Sequence, residues 1–347
     1  MTEFELIEQI FLKLQADTSL STDIEKGIGD DAAVMALPIG ARLVSCIDTL
    51  VQGRHFSADW IEIEKLAFAI AYKAVAVNVS DLAAMGATPH SILLALALPE
   101  CLANEKWLSE FAKGLSHACQ LFGVTLIGGD TTRNETLILS VSAQGLLNAD
   151  TPAVYRSGAQ VGDKVYVSGT LGDAAYALQH PDNTIGIELA HRLHMPTPRI
   201  ALGAALARVG ATAMIDISDG LYQDLGHICQ QSKVSMRLNL EQLPTSKPLA
   251  SVNLSERLLC QLTGGDDYEL AFTLPAHIKP PTSNTTVTCI GDVIALVDEA
   301  DIDIDSATQL FPQLSPQLYY KGQPVTPTHP APFSKWPNLT GYQHFAG

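Results

Sequence analysis

The spacing of apolar residues along the chain predicts alternating helices and strands. Segments with helical spacing of apolar residues lie at 5–14, 105–122 and 221–232. Short apolar runs between turn residues predict strands at 42–47, 92–98, 124–127, 137–147 and 164–168. The strands at 124–127 and 137–147 are expected to be neighbours. An alanine-rich stretch predicts a helix at 63–79, and Ser80 predicts the cap of a shorter helical piece that ends at Gly86. This alternation is typical of a mixed α/β protein.

A turn-rich stretch at 148–163 marks the expected boundary between two domains, because the strand and helix pattern begins again after it. The chain has 347 residues, and at about 150 residues per domain this length fits two domains. We therefore expect an N-terminal domain at 1–148 and a C-terminal domain at 149–347. The five prolines of 322–337 predict a tail without regular structure.

The charge of the chain limits its partners. It has 37 acidic and 21 basic residues, and the net charge of −16 repels nucleic acids and anionic membranes. A phosphate group bound among so many carboxylates needs a divalent metal ion. The six cysteines are dispersed, which predicts reduced core residues in a cytoplasmic protein. The acidic amino terminus is unlike a signal peptide, and the apolar run at 92–98 is far shorter than the roughly 20 residues of a membrane span.

Aspartates recur where apolar segments are expected to meet turns or helix starts. These acidic segments lie at 29–31, 48–49, 80–81, 129–130, 216–219 and 265–267. A single aspartate at such a place usually caps a helix or forms a turn, so six unrelated caps are one explanation. If at least four of the carboxylates converge, their repulsion requires cations. Oxygen ligands without histidine or cysteine favour Mg²⁺ or Mn²⁺ over zinc.

Three familiar motifs are weaker explanations of these acidic segments. The segment 27–32 matches the loose dinucleotide pattern G-x-G-x-x-A, but it places two carboxylates where a pyrophosphate would lie. The chain has neither a P-loop lysine motif nor the protein-kinase motifs. The segment 301–305 resembles the start of a calcium loop, but Ser306 and Pro312 replace the required glycine and glutamate.

Seven motifs, spread in order over essentially the whole chain, carry a resemblance to a known family. They are G-I-G-D-D at 27–31, D-T-L-V at 48–51 with H-F at 55–56, K-A-V-A-V-N-V-S-D-L-A-A-M-G-A at 73–87, G-G-D-T-T-R at 128–133, I-D-I-S-D-G-L at 215–221, G-G-D-D-Y-E-L at 264–270 and G-Y-Q-H-F at 341–345. On these motifs the sequence resembles the thiamine-monophosphate kinases, which belong to the aminoimidazole-ribonucleotide-synthetase-like superfamily.

The resemblance implies a fold, an activity and a set of site residues. It implies a homodimer of two-domain α/β protomers, with ATP and Mg²⁺ binding and dimer contacts in the first domain. The implied reaction is ATP-dependent phosphorylation of thiamine monophosphate to thiamine diphosphate, assisted by several Mg²⁺ ions. Carried over to this sequence, the metal ligands are Asp31, Asp48, Asp81, Asp130, Asp216 and Asp219. The implied ATP contacts are Gly129, Asp130, Arg156 and Ser218. The implied thiamine monophosphate contacts are His55, Asp266 and Tyr342.

The chain departs from the family pattern at three places. Cys46 and Ile47 stand where the family usually has small hydroxyl residues, so a metal contact there would be made by backbone carbonyls. Asp266 stands where the family commonly has glutamate. The proline-rich residues 326–337 lengthen the approach to Tyr342.

The chemistry of the implied acceptor fits the absence of a catalytic base motif. A phosphate monoester has a second pKa of about 6, so at neutral pH it is largely a dianionic nucleophile. We therefore expect direct in-line transfer with metal assistance and no catalytic side chain. Selenophosphate synthetases and hydrogenase-maturation dehydratases are disfavoured, because the first cysteine is Cys46 and the sequence ends in glycine. An aminoimidazole-ribonucleotide synthetase and a non-catalytic nucleotide- or thiamine-phosphate-binding protein are the alternatives.

Overall fold

The computed structural model describes residues 23–296 and 314–325, which divide into two units. Unit 1 extends to Thr151 but does not include Ala84–Gly86, which belong to unit 2 together with the residues from Pro152 onward. Three predicted features lie outside the described residues: the helix at 5–14, the acidic turn at 301–305 and the tail from 326 onward with Tyr342.

Unit 1 is built on a four-stranded sheet beside a small two-stranded ribbon. The ribbon strands are β1 (Ile24–Lys26) and β2 (Val34–Met35). The sheet strands are β3 (Arg42–Val51), β4 (Thr88–Leu98), β5 (Thr125–Arg133) and β6 (Ile138–Leu147). Their order is β3-β6-β4-β5, with β4 and β5 parallel and β6 antiparallel to both of its neighbours. The expected pairing of 124–127 with 137–147 is therefore wrong, because β4 lies between these two strands.

The helices of unit 1 pack closely on one another. They are α1 (Trp60–Lys65), α2 (Ala67–Ala84) and α3 (Glu105–Phe122). A Cβ atom at Gly114 of α3 would lie 2.1 Å from the backbone oxygen of Phe68 in α2, so only glycine allows this approach. The bounds predicted for α3 are confirmed. The Asn104 side chain accepts from the backbone N–H of Trp107 at 3.0 Å, and Gly123 ends the helix with a φ of 68°.

Helix α2 differs from its prediction, because it continues through Ser80 without a break. Ser80 is fully buried and lies inside this helix, before its last turn, so it is not a cap. Among the described residues, α2 is also the one helix with the length and apolar composition of a membrane span. However, 83% of it is buried inside the fold, as in the core helix of a globular unit.

Unit 2 is built on a seven-stranded sheet in the order β13-β12-β9-β11-β7-β10-β8. The strands are β7 (Lys164–Ser168), β8 (Ala213–Asp216), β9 (Ser235–Asn239), β10 (Leu270–Leu274), β11 (Val287–Ile294), β12 (Pro316–Tyr320) and β13 (Gln323–Pro324). Only β9 and β12 pair in parallel within this described sheet. The β13 pair corrects the expectation that 322–337 has no regular structure, because its first residues extend the sheet.

The helices of unit 2 cover this sheet and complete the mixed α/β fold that the sequence predicts. They are α4 (Asp173–Gln179), α5 (Thr184–His194), α6 (Ile200–Val209), α7 (Leu221–Ser232) and α8 (Leu254–Thr263). The main core contains Val165 from β7, Leu225 from α7 and Met236 from β9, each of them fully buried. The predicted bounds of β7 and α7 are confirmed.

Candidate functional site

In unit 1, Asn78 brings two of the predicted metal ligands to the same side of the sheet. Its side chain is fully buried in α2, and its Oδ1 accepts from the backbone N–H of Asp48 at 3.0 Å. The thiol of Cys46 donates to the backbone oxygen of Asn78 at 3.3 Å. Asp81 follows Asn78 by about one helical turn, on the same face of α2. This role of Asn78 was not predicted, because a buried asparagine in an apolar helix has no motif of its own.

Cys46 and Ile47 point to opposite faces of β3, as neighbouring strand residues must. Burial, and then the nearby carboxylates of Asp81 and Asp48, raise the pKa of the Cys46 thiol far above its usual value. The raised pKa favours the protonated thiol. The backbone oxygen of Cys46 accepts from the hydroxyl of Ser142 at 3.2 Å, and the side chain of Ile47 is 66% exposed.

The sequence suggested that Gly129 and Asp130 lie in a turn after the strand. The structure instead places both residues within β5. A Cβ atom at Gly129 would lie 2.0 Å from the backbone oxygen of Leu94, so the pairing of β5 with β4 itself requires glycine. Asp130 is exposed on β5, at the opposite edge of the sheet from Asp48. Three strand spacings of about 4.8 Å separate these edges by about 14 Å, so unit 1 does not bring Asp130 to Asp48.

Asp31 and His55 lie in turns of unit 1. Asp31 is an exposed residue, and its backbone N–H donates to Oδ1 of Asp30 at 3.0 Å. The imidazole Nδ1 of His55 accepts from the backbone N–H of Val51 at 3.0 Å, at the end of β3. A neutral imidazole that accepts at Nδ1 carries its proton on Nε2. His55 thus stabilises its turn whether or not it binds substrate.

In unit 2, a buried carboxylate holds the acidic turn between β8 and α7. Oδ2 of Asp224 accepts from the backbone N–H groups of Ser218, Asp219 and Gly220 at 3.1, 3.2 and 3.1 Å. Burial, and then the charges of Asp216 and Asp219, raise the pKa of Asp224 well above its usual value. Asp224 is not among the predicted site residues, because in the sequence it resembles an ordinary acidic residue in the first turn of α7.

The segment after α8 runs beside this acidic turn. The backbone N–H of Asp266 donates to the oxygen of Ser218 at 2.9 Å, and that of Tyr268 donates to the oxygen of Ile217 at 2.8 Å. A Cβ atom at Gly265 would lie 2.2 Å from the oxygen of Ser218, so the two segments approach closely. Unit 2 therefore joins a predicted nucleotide contact, Ser218, to a predicted substrate contact, Asp266.

Arg156 adds positive charge near the same turn. Its backbone oxygen accepts from the hydroxyl of Ser232 in α7 at 3.3 Å. Burial, and then Arg156, lower the pKa of His227, while Asp219 opposes this change. These three side chains therefore lie within electrostatic reach of one another, and His227 was not predicted.

The carboxylates do not form a preassembled metal cage in the part of the chain that the structure describes. No group of three or more histidine, cysteine, aspartate or glutamate side chains is placed there to hold a metal ion. The donor set nevertheless consists of exposed or partly exposed carboxylates, namely Asp31, Asp48, Asp81, Asp130 and Asp219, together with the buried Asp216. Such hard oxygen donors suit Mg²⁺, which usually takes one or two carboxylates and completes its shell with water and phosphate oxygens.

Comparisons with known proteins agree with this fold and these motifs. The family model of the AIR synthase related protein N-terminal domain matches residues 29–147, and that of the C-terminal domain matches 160–303. The thiamine-monophosphate kinase of Haemophilus influenzae is 40% identical over 308 residues, which is 84% of this chain and 89% of the relative.

Solved structures extend the likeness to three dimensions. The crystal structure of thiamine-monophosphate kinase from Stenotrophomonas maltophilia has a TM-score of 0.77 and 37% identity, covering 93% of this chain and 98% of that chain. AaThiL complexed with AMPPCP and TMP has a TM-score of 0.70 and 29% identity, covering 99% and 97%. From its motifs, its fold and these relatives, this chain belongs to the thiamine-monophosphate kinase family within the AIR synthase related proteins.

Proposed function

We propose that this protein transfers the γ-phosphoryl group of ATP to thiamine monophosphate and releases thiamine diphosphate and ADP. The observation that carries the proposal is the backbone hydrogen bond between Asp266 and Ser218. It joins a residue that is expected to contact ATP to a residue that is expected to contact thiamine monophosphate. The relative AaThiL, which is complexed with AMPPCP and TMP, supports it. In this proposal Gly129, Asp130 and Arg156 also contact ATP, and His55 and Tyr342 also contact thiamine monophosphate.

Mg²⁺ is the proposed metal, held by the six aspartates and, at β3, by the backbone oxygens of Cys46 and Ile47. When bound, it would supply positive charge between the two phosphate groups. Because the described carboxylates form no cage of three, each ion would rely on few protein oxygens and on the phosphates themselves. Metal binding and nucleotide binding should therefore depend strongly on each other.

The chain's own residues would bind and orient the two phosphates for direct attack. The acceptor is already a dianion at neutral pH, so no side chain needs to remove a proton. Arg156 would hold the anionic nucleotide beside the acidic turn, and the turn's backbone is fixed by Asp224. We propose one in-line displacement with inversion at phosphorus and no phosphoenzyme.

We further propose a homodimer whose contacts lie in the first domain. On the face of the unit 1 sheet that points away from Asn78, three apolar side chains are exposed: Leu43 (48%), Ile47 (66%) and Leu93 (38%). Ile47 and Leu93 both pair with the same residue of β6, so they lie in one row of that face. A second copy would cover this row. Ile47→Glu should produce a monomer in sedimentation analysis, whereas Leu121→Glu, on an exposed site of α3, should not.

The function is tested by incubating the purified full chain with ATP, Mg²⁺ and thiamine monophosphate and separating the products by chromatography. We expect thiamine diphosphate and ADP in equal amounts, no product after chelation, and recovery with Mg²⁺ but not with Zn²⁺ alone. Binding of both ligands without product would identify a binding protein. Turnover of formylglycinamidine ribonucleotide in place of thiamine monophosphate would identify an aminoimidazole-ribonucleotide synthetase.

A further inference from the structure

Two residues of the segment beside the acidic turn have a backbone conformation that side chains disfavour. Asp266 has a φ of 66° and Tyr268 a φ of 49°, and neither is glycine. Such left-handed conformations cost free energy and persist only where the surroundings enforce them. The hydroxyl of Tyr268 donates to Oδ1 of Asp266 at 3.1 Å, so the strained backbone also fixes the direction of the Asp266 carboxylate.

The residue that follows, Glu269, is anchored on all sides. It is fully buried, and its Oε2 accepts from Nε of Arg199 at 2.6 Å and from the hydroxyl of Ser168 at 2.5 Å. Its Oε1 accepts from Nη2 of Arg192 at 2.9 Å and also from Nη2 of Arg199. A Cβ atom at Gly169 would lie 2.1 Å from this oxygen, so the backbone of the neighbouring loop also encloses the carboxylate.

Three carboxyl groups and two guanidinium groups meet in this buried cluster, which we call the arginine clamp: Arg192, Arg199, Asp173, Asp267 and Glu269. Nε of Arg192 lies 3.9 Å from Asp173, and Asp267 accepts from a backbone N–H at 2.9 Å. Removing so many charges from water is an expensive way to stabilise a core, since apolar side chains of similar size do this at least as well. A requirement for defined geometry explains the cluster better than a requirement for stability.

We propose that Arg192 and Arg199 are positioning residues for the substrate. By fixing Glu269 they enforce the left-handed backbone at Asp266 and Tyr268, and so they aim the Asp266 carboxylate at the thiamine monophosphate site. This inference rests on the proposed function, in which Asp266 contacts that substrate. In this proposal the arginines act on the substrate through Glu269.

The test compares Arg199→Met and Arg199→Lys with the wild-type full chain. Methionine removes the bidentate contact to Glu269, whereas lysine retains one charged donor. For Arg199→Met we expect the KM for thiamine monophosphate to rise by about tenfold or more, with the KM for ATP within about twofold. Arg199→Lys should recover part of this loss. Hydrogen exchange of the amides in 264–270 should accelerate in the same order.

Two controls separate positioning from general destabilisation. Leu318→Ala creates a cavity in β12, near the far edge of the same sheet, and should lower the unfolding temperature without changing either KM. Asp266→Ala should raise the same KM, and the double variant with Arg199→Met should show little additional loss. Full additivity, or equal changes in both KM values, would overturn the inference.

The inference and the proposed function fail in different ways. A wild-type protein that makes no thiamine diphosphate would overturn the function and, with it, the substrate role of the clamp. An active wild type whose Arg199→Met variant keeps its KM for thiamine monophosphate would overturn the inference alone. If Arg199→Met does not fold, the same comparison is made with Arg199→Lys, for which an unchanged KM and unchanged amide exchange would be the contrary result.

Discussion

Replacing Asp224 by alanine should destabilise the acidic turn of unit 2, because this one buried side chain holds the backbone of the turn. One carboxylate oxygen accepts from three consecutive backbone N–H groups, of Ser218, Asp219 and Gly220. Gly220 is buried, and an unsatisfied buried N–H costs about 1–3 kcal/mol. The other two groups are partly exposed and can turn to water, at about 0.5 kcal/mol each. Relief of repulsion with the neighbouring aspartates offsets part of the sum, so we expect a loss of about 2 kcal/mol.

The assay for this prediction is urea unfolding at neutral pH together with the rate of thiamine diphosphate formation. We expect turnover of Asp224→Ala to fall by about a hundredfold, because Ser218 and Asp219 lose their fixed positions. Asp224→Asn retains one acceptor oxygen and should lose less of both quantities. Asp182→Ala, at an exposed site of the same unit, should change stability by less than about 0.5 kcal/mol. Normal stability in Asp224→Ala would refute the hydrogen-bond argument, and normal turnover would refute the role of the turn.

Three further outcomes are expected. Asp81→Asn and Asp219→Asn should each lower turnover by about a hundredfold while leaving unfolding in metal-free buffer unchanged or slightly improved; lower stability with normal turnover would make them structural. Burial raises the pKa of Asp267 well above its usual value, so the stability that this group contributes is lost as pH rises from the usual range of a carboxyl group through its folded pKa. Asp267→Asn keeps an acceptor for Gly172 and cannot ionise, so urea unfolding between about pH 4 and about pH 8 should show a flatter profile and higher stability at the alkaline end. Gly129→Ala should lower the unfolding temperature even without ligands, and unchanged stability would leave ligand binding as its main role.

The elements that the sequence predicted well are those whose pattern is local. Helix α3 has one apolar face, an asparagine at its start and a glycine after its end, so its bounds follow from its own residues. Helix α2 is buried on nearly every side and lacks that alternation, which is why Ser80 was mistaken for a cap. The glycines of β5 were expected to form a turn. Gly129 is instead required inside the strand, because the backbone oxygen of Leu94 in the neighbouring strand leaves no room for a side chain, and that contact is not visible in the sequence.

The candidate site also divides into residues that a local pattern predicts and residues that only the tertiary fold reveals. The motifs predict Asp216, Ser218 and Asp219 as site residues, since short-range acidic patterns are visible in the sequence. The residues that hold them are different. Asn78 binds a strand that is 30 residues away, and Arg199 reaches Glu269 across 70 residues. Such contacts depend on the tertiary fold, so no window of sequence contains both partners.

The position of β6 within the first sheet has a consequence for how the protein is made. This strand comes last along unit 1, yet it lies inside the sheet, between β3 and β4. Until residue 147 leaves the ribosome, β3 has no partner in the sheet, and β4 is paired on one side only, with β5. Those unpaired edges are templates for joining other chains. Truncation before residue 138 should therefore yield an aggregating chain and not a smaller folded unit.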